Sequence, residues 1–591
     1  MSFFKNLLAS MLGFFIAFFL LFLIVMFVAI SAQSETEPHI REGSVLNISL
    51  TGLIPERPAE DPFSELFMGK PDASALSTLS ENFNKAASDH RIDGIWLEIN
   101  MLSTPWATLE EIHKAILDFK ENSGKFVYAS TDDMGFNEQG YYIATAADSI
   151  FSPPETMFLL DGFFIQTVFF KNMLDKVGVE PQVLESGAYK TAFESFTHSE
   201  YSMENAEQLQ AIIDLTADEF LNAVSKKTGL SVAELNDIMN EAPRLTANFA
   251  FEAGLLDELI YRSETKDRVD QRVRSLGRSD VHHVKSSRYE KVTRRSAGIE
   301  RANGNEKIAI IHLDGVIMPQ SLGPRQATIT AENFRSHIKE IREDENIKAI
   351  VLRINSPGGS ASTSDVIWKM VREISQELPV IASMGPVAAS GGYYISAAAD
   401  TIIASANTIT GSIGVISTRF NVQELMNDKL GITFDEVKTH NHANWMNPVG
   451  SLSEIEERAF KSFGDEFYEV FLNRVALGRN MGVEEVHLVA QGRVWTGYDA
   501  LEHNLVDMLG GLDLALHTAA EKAGLAEYHI ETFPKPKSVI ELLTGSAQIQ
   551  AMNLFNLDYP GKQAFEATQG LLMLNGKPHV LALLPFEISV N

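Results

Sequence analysis

Ser390, in the run AASGGYYISAAAD, follows the apolar stretch PVIAS and directly precedes small, helix-forming residues. A hydroxyl there sits at a helix N-terminus. Gly391 and Gly392 would admit a substrate backbone, and free amides of the first turn could stabilise a developing oxyanion. Lys190, in SGAYKTAFESF, follows the strand-like PQVLESG. An ammonium of ordinary pKa, about 10.4, cannot accept a proton at neutral pH. Burial against apolar neighbours such as Tyr189 and Phe193 would disfavour the charge and bring that value down. A neutral lysine could then deprotonate Ser390, giving a serine nucleophile activated by an amine.

These two residues stand in different copies of an internal repeat, and the repeat supplies the elements that must position them. LNISLTGLI (Leu46 to Ile54) matches AIIHLDGVI (Ala309 to Ile317), GIWLEIN matches AIVLRIN, and FVYAS matches PVIAS. The clearest pair is GYYIATAADSI, from Gly140, with GYYISAAADTI, from Gly392, an offset of 392 − 140 = 252 residues. Short apolar strands alternate with amphipathic stretches such as Leu109 to Phe119 and Ser364 to Ile374, so the chain reads as two α/β units. The differences between the copies are complementary. Glu138 takes the place of Ser390 in the first copy, and the gapless alignment sets Ala443 opposite Lys190 in the second. One copy keeps a nucleophile and the other a base, which places a single site between the halves.

Other features bear on that site. NSPGGSAS (Asn355 to Ser362) follows a strand and carries paired glycines suited to a backbone-lined cleft; its first-copy partner NMLSTPWA lacks them. Ser412, in TGSIGV, replaces Leu160 of the first copy. Its hydroxyl could orient the lysine amine, although spacing alone favours a satisfied turn serine. His440 and His442, in THNHANWM, lie near the position of a duplicated lysine and could bind a metal or compete as the base; an H-x-H pair without suitably spaced carboxylates reads first as surface polarity.

The 49 basic and 78 acidic residues leave a charge of −29, which argues against a nucleic-acid partner. Zero cysteines exclude disulfides, thiolate nucleophiles and Cys-ligated metals. No charged side chain occurs from Asn6 to Ser34, and Met11 to Ala32 is almost purely apolar. Such a stretch makes roughly 33 Å of helix, enough to cross a hydrocarbon layer of about 30 Å. Lys5 before it and Glu35 and Glu37 after it put the N-terminus in the cytoplasm and the body outside. The resulting division is a tip and anchor over 1–35, a first repeat over 40–262, a charged linker over 263–307, a second repeat over 308–540, and a C-terminal extension over 541–591. Arg262 to Lys307 holds thirteen basic and seven acidic residues with few large apolar ones, hence the linker.

The order of NSPGG, AASGGYYIS, TGSIGV, AYKTAFE and VWTG…LVD, behind an apolar N-terminus and in tandem repeats, resembles the long-form bacterial signal peptide peptidase family (SppA, or protease IV) over nearly the whole chain. The resemblance implies a ClpP/crotonase-like α/β fold in each half. It implies a serine protease with Ser390 as nucleophile, Lys190 as general base and Ser412 assisting the lysine, and with Gly391, Gly358 and Gly359 forming the oxyanion site. It further implies a homotetramer on the periplasmic side of the bacterial inner membrane, held through residues 11–32, which degrades released signal peptides and other extended apolar peptides. No cofactor or metal enters that chemistry. Two other readings compete: a crotonase-like enzyme acting on acyl-CoA thioesters, and a membrane-tethered scaffold that has lost catalysis.

Overall fold

A computed structural model describes short stretches within residues 5–20, then residues 37–58, 74–240, 246–300, 304–322, 327–535 and 580–583. The first copy forms a parallel six-stranded sheet in the order β6-β4-β3-β2-β1-β7. Its strands are β1 (Ser44–Gly52), β2 (Ile92–Leu102), β3 (Phe126–Ser130), β4 (Ser149–Ser152), β6 (Glu258–Leu259) and β7 (His282–Lys285). Near-continuous apolar runs are what a parallel sheet covered on both faces requires. Leu46, Ile48, Ile95, Leu97 and Val127 accordingly pack with Leu79 and Phe83 of helix Leu76–Ser88 and with Leu109, Ile112 and Ile116 of helix Trp106–Ser123.

The second copy repeats the plan. A sheet ordered β17-β15-β13-β11-β8-β19 contains β8 (Lys307–Asp314), β11 (Ile347–Ser356), β13 (Val380–Ala389), β15 (Ile409–Gly411), β17 (Val494–Thr496) and β19 (His529–Phe533). Strands β14 (Thr401–Ala404) and β18 (Met508–Leu509) extend it from β13. The repeated GYYI and AAD strings prove to be architectural. Tyr141 donates to the Leu255 carbonyl at 2.6 Å and Tyr393 to that of Leu505 at 2.9 Å. Asp148 accepts from the Val127 amide and Asp400 from the Val380 amide, each at 2.8 Å, tying the post-helical turn to the neighbouring strand.

A third sheet, ordered β10-β9-β12-β20-β16-β5, joins the halves. It comprises β5 (Glu180–Ser186) from the first copy and β9 (Val316–Ile317), β10 (Thr328–Ile329), β12 (Gly358–Ser360) and β16 (Val415–Asn421) from the second. From the C-terminal extension it takes β20 (Val580–Leu583). Strands β5 and β16 pair antiparallel along seven residues, Ser186 opposite Val415 through Glu180 opposite Asn421, so the two repeats share a continuous backbone ladder.

The stretch 263–307 is not a free linker. Helix Arg262–Ser275 buries Val269 and Val273, and β7 pairs with β1. Tyr289 is buried with its hydroxyl on Asp89, and the Lys85 ammonium donates to the carbonyls of Tyr289, Glu290 and Val292. The basic bias arises because the segment faces acidic neighbours: Arg262 pairs with Glu98 at 2.6 Å, Arg268 with Glu258 at 2.7 Å and Arg278 with Asp93 at 2.9 Å. Among the described residues no helix is long and apolar enough to cross a membrane. The span expected over 11–32 lies largely outside them, as does the extension 541–591 apart from β20.

Candidate active site

Strand β13 ends at Ala389, and helix Gly391–Ser396 begins immediately after Ser390. The turn is sharp. Ser390 adopts φ 55° and ψ −112°, a conformation that costs a non-glycine residue of order 1–3 kcal/mol and is held only by its surroundings. Its amide donates to the Gly411 carbonyl at 2.8 Å, so the elbow hangs on the end of β15. Ser412 follows, also at positive φ (48°), with its own amide on the Arg493 carbonyl at 2.7 Å.

Lys190 enters from the first copy. Strand β5 runs along β16 to Ser186, and the turn Gly187–Lys190 carries the side chain into the second copy, where it is 0% exposed. Its Nζ donates to Ser390 Oγ at 2.9 Å, to Ser412 Oγ at 2.8 Å and to the Ser412 carbonyl at 3.1 Å. Burial pushes its pKa down from 10.5 to about 7, with nearby Glu185 pulling the other way. Serine, lysine and second serine are thus brought together within one chain, across 200 residues of sequence between Ser390 and Lys190.

The burying wall is not the one expected from sequence. Tyr189 turns outward, its hydroxyl on exposed Glu207 at 3.1 Å, and the Phe193 ring packs tilted against Phe196. The cover is backbone. A Cβ on Gly492 would lie 2.5 Å from Lys190 Cβ, and one on Gly187 2.4 Å from the Gln491 carbonyl carbon. Both glycines have positive φ, so each position demands glycine twice over. Tyr189 N–H to the Gln491 carbonyl and Gly492 N–H to the Ile413 carbonyl, both 2.8 Å, close the cradle. Sequence reasoning missed this cradle; the signal available for it was the Gln491–Gly492 step ahead of VWTG.

The glycines of the cleft divide in role. A side chain on Gly391 would meet Ser364 Oγ at 2.7 Å and Gly358 Cα at 3.1 Å, so the first turn after Ser390 and the Gly358 loop converge on one point. The Gly358 amide rests on Ser356 Oγ at 3.2 Å. Gly359 is a strand residue between Ile317 and Ala582; a Cβ there would sit 2.0 Å from the Ile317 carbonyl oxygen. His440 and His442 lie in an exposed loop and bond to Thr439 and Glu456. Ala443 is in the same exposed loop, which is why the second copy has no counterpart of Lys190. In the first copy, Glu138 fills the nucleophile position, and its carboxylate accepts the amides of Asp161 at 2.9 Å and Gly162 at 3.2 Å. Among the described residues no group of His, Asp and Glu is arranged to hold a metal.

Two tandem α/β units of ClpP-like character, one bearing a strained buried serine and the other a buried lysine, define a class of serine hydrolase. Comparison with known proteins agrees with that class. Residues 120–275 and 372–526 each match the model of peptidase family S49, and residues 321–410 match that of Clp protease. Serine protease SPPA, chloroplastic, of Arabidopsis thaliana is 35% identical over 489 residues, 82% of this chain and 70% of the relative. Protease 4 of Salmonella typhi is 30% identical over 554 residues, 89% of this chain and 87% of the relative. Protease 4 of Haemophilus influenzae is 28% identical over 84% of this chain and 82% of its own. The chain belongs to peptidase family S49 and is a serine peptidase.

Proposed function

We propose that this peptidase works through a Ser390–Lys190 dyad and cuts signal peptides, after their release, together with other extended apolar peptides at a membrane surface. The observation that carries the reading is the 2.9 Å approach of a wholly buried lysine amine to the Ser390 hydroxyl. Uncharged Lys190 takes the hydroxyl proton as Oγ attacks the scissile carbonyl. Amides of Gly391 and, once released from Ser356, Gly358 hold the tetrahedral oxyanion. The lysine passes its proton to the departing amine, and water, deprotonated by the same amine, releases the acyl group. Ser412 keeps the amine aimed at Ser390 through two acceptor oxygens.

Strand β20 supports the substrate's form. It lies antiparallel between β12 and β16, with Leu583 opposite Gly358, Ala582 opposite Gly359 and Leu581 opposite both Ser360 and Ile416. A peptide added as a strand in that slot would run past the glycine loop beside Ser390. The apolar stretch at residues 11–32 would anchor the body outside the cytoplasm, on the periplasmic face of an inner membrane. Exposed Phe164, Val168, Met173, Ile432 and Phe434 suit contact between copies in a homotetramer.

The test is hydrolysis of a fluorogenic apolar peptide by the full chain in detergent. Ser390→Ala and Lys190→Ala should each abolish turnover while melting cooperatively, and retained turnover in either would refute the dyad. His440→Ala/His442→Ala should leave turnover intact.

A further inference from the structure

Two adjacent carboxylates of helix Trp106–Ser123, in the first copy, reach into the second. Glu111 accepts the Leu512 amide and pairs with Arg353. Glu110 does something closer to the site. Its carboxylate accepts the Ala406 amide at 2.9 Å, the Asn407 amide at 2.8 Å, and the Asn407 side-chain amide. Asn407 in turn accepts the Thr216 hydroxyl at 2.8 Å, from helix Met203–Thr228 of the first copy. The turn Ser405–Thr408 is therefore suspended from first-copy side chains.

That turn is the root of the catalytic geometry. Thr408 Oγ1 donates to the Gly385 carbonyl at 3.0 Å, and β15 starts at the next residue. Three residues later Gly411 receives the Ser390 amide, and Ser412 receives the Lys190 amine. An extended strand of three residues has little compliance along its length, so a shift at 406–407 is passed to both. A buried carboxylate is costly unless several donors converge on it. Three do here. A glutamine would present one acceptor oxygen and turn its own N–H groups toward other donors.

We infer that Glu110 is a positioning residue for the dyad, holding from the first copy the turn through which β15 delivers Gly411 to the nucleophile and Ser412 to the base. The inference rests on the dyad proposed above. Glu110 touches no reacting atom.

Burial raises the Glu110 pKa to about 7 against its hydrogen bonds, and Glu219 of helix Met203–Thr228 adds in the same direction. Tyr142 of helix Glu138–Thr145 also faces it and is kept neutral by burial and by the charges of Glu110 and Glu219. Beside Lys190, burial raises the pKa of Glu185 of β5 to about 7, and its protonation removes a charge that favours the protonated lysine. Activity thus needs Glu110 ionised and Lys190 uncharged. Both conditions fail on the acid side, so two protons switch the enzyme off.

The experiment measures kcat and KM for an apolar fluorogenic peptide from about pH 5 to 9, with the full-length chain and its Glu110→Gln, Asn407→Ala and Ser390→Ala variants. In the parent, the acid limb of log kcat/KM should approach a slope of two. Glu110→Gln should lower kcat by about 10–100-fold, with KM changed less than about twofold, and bring the slope to one. Asn407→Ala should lower kcat less and keep the slope of two. A parental slope of one, an unchanged slope in Glu110→Gln, or an unchanged kcat there overturns the inference. Should Glu110→Gln fail to fold, the parental slope and Asn407→Ala decide. Turnover by Ser390→Ala would remove the dyad itself; an inactive Ser390→Ala beside a Glu110→Gln that behaves like the parent removes only the positioning role.

Discussion

In the proposed mechanism Lys190 works only as a free amine, and the fold bears the cost. Its pKa falls from 10.5 to about 7 on burial. A group depressed on folding destabilises the native state progressively as pH drops from its unfolded value to its folded one; for Lys190 the cost is absent above about pH 10.5 and reaches about 4 kcal/mol near pH 7. The three hydrogen bonds at Nζ, in the free amine two donated to Ser412 and one accepted from the Ser390 hydroxyl, return about 1 kcal/mol each. Lys190→Met should therefore abolish turnover yet raise the unfolding free energy by about 1 kcal/mol at pH 7, and lower it by about 2 kcal/mol at pH 10, as read by urea titration. In the parent, kcat/KM should rise through about pH 7 as Lys190 loses its proton. The pairing of Ser390 with Lys190 was legible in sequence because each stands in one repeat and is replaced in the other, by Glu138 and Ala443. Ser412 was legible chiefly through the family resemblance, since a turn serine with a satisfied hydroxyl has the same spacing. The Gly492 cradle was hidden, because a close approach between residues 492 − 190 = 302 apart leaves no local pattern.

At the scale of elements, the third sheet carries the proposed substrate slot. Strand β20 fills the slot between β12 and β16 that an extended substrate would use. A stop codon after residue 579 should raise kcat/KM for a short apolar peptide several-fold, and a synthetic peptide covering 576–591 should inhibit the truncated enzyme competitively. A truncated enzyme that is inactive and regains turnover with that peptide would make β20 a structural strand instead. The repeat strings located three adjacent strands of each large sheet, β1, β2 and β3 in the first and β8, β11 and β13 in the second, because a strand buried on two faces must be apolar throughout. The helix and strand inside 263–307 escaped detection for the opposite reason. Their buried residues, Val269, Val273 and Val284, are widely spaced among charged ones that pair with the first copy's own acids. Strand β20 offered no repeat partner, so its apolar residues pointed no further than to packing.

For the molecule as a whole, the two copies form one structural unit around the proposed dyad. Arg353 of β11, 0% exposed, binds Glu56 at 2.8 Å and Glu111 at 2.6 Å, both from the first copy. Arg353→Met would leave two carboxylates facing each other without a cation and should destabilise the chain by about 3–5 kcal/mol, seen as a lower urea midpoint. Lys190 and Ser390 meet within a single chain, so mixing Ser390→Ala with Lys190→Ala protein should restore no activity. Complementary loss between the repeats already implied a shared site, but sequence could not say whether its halves came from one chain or two; the β5–β16 ladder supplies that answer. The most direct test of the account is labelling by an acylating inhibitor, followed by peptide mass analysis of the parent and of folded Lys190→Ala. The account predicts one adduct, on Ser390, in the parent and none in Lys190→Ala. An adduct on another residue, or undiminished labelling of Ser390 without Lys190, would contradict it.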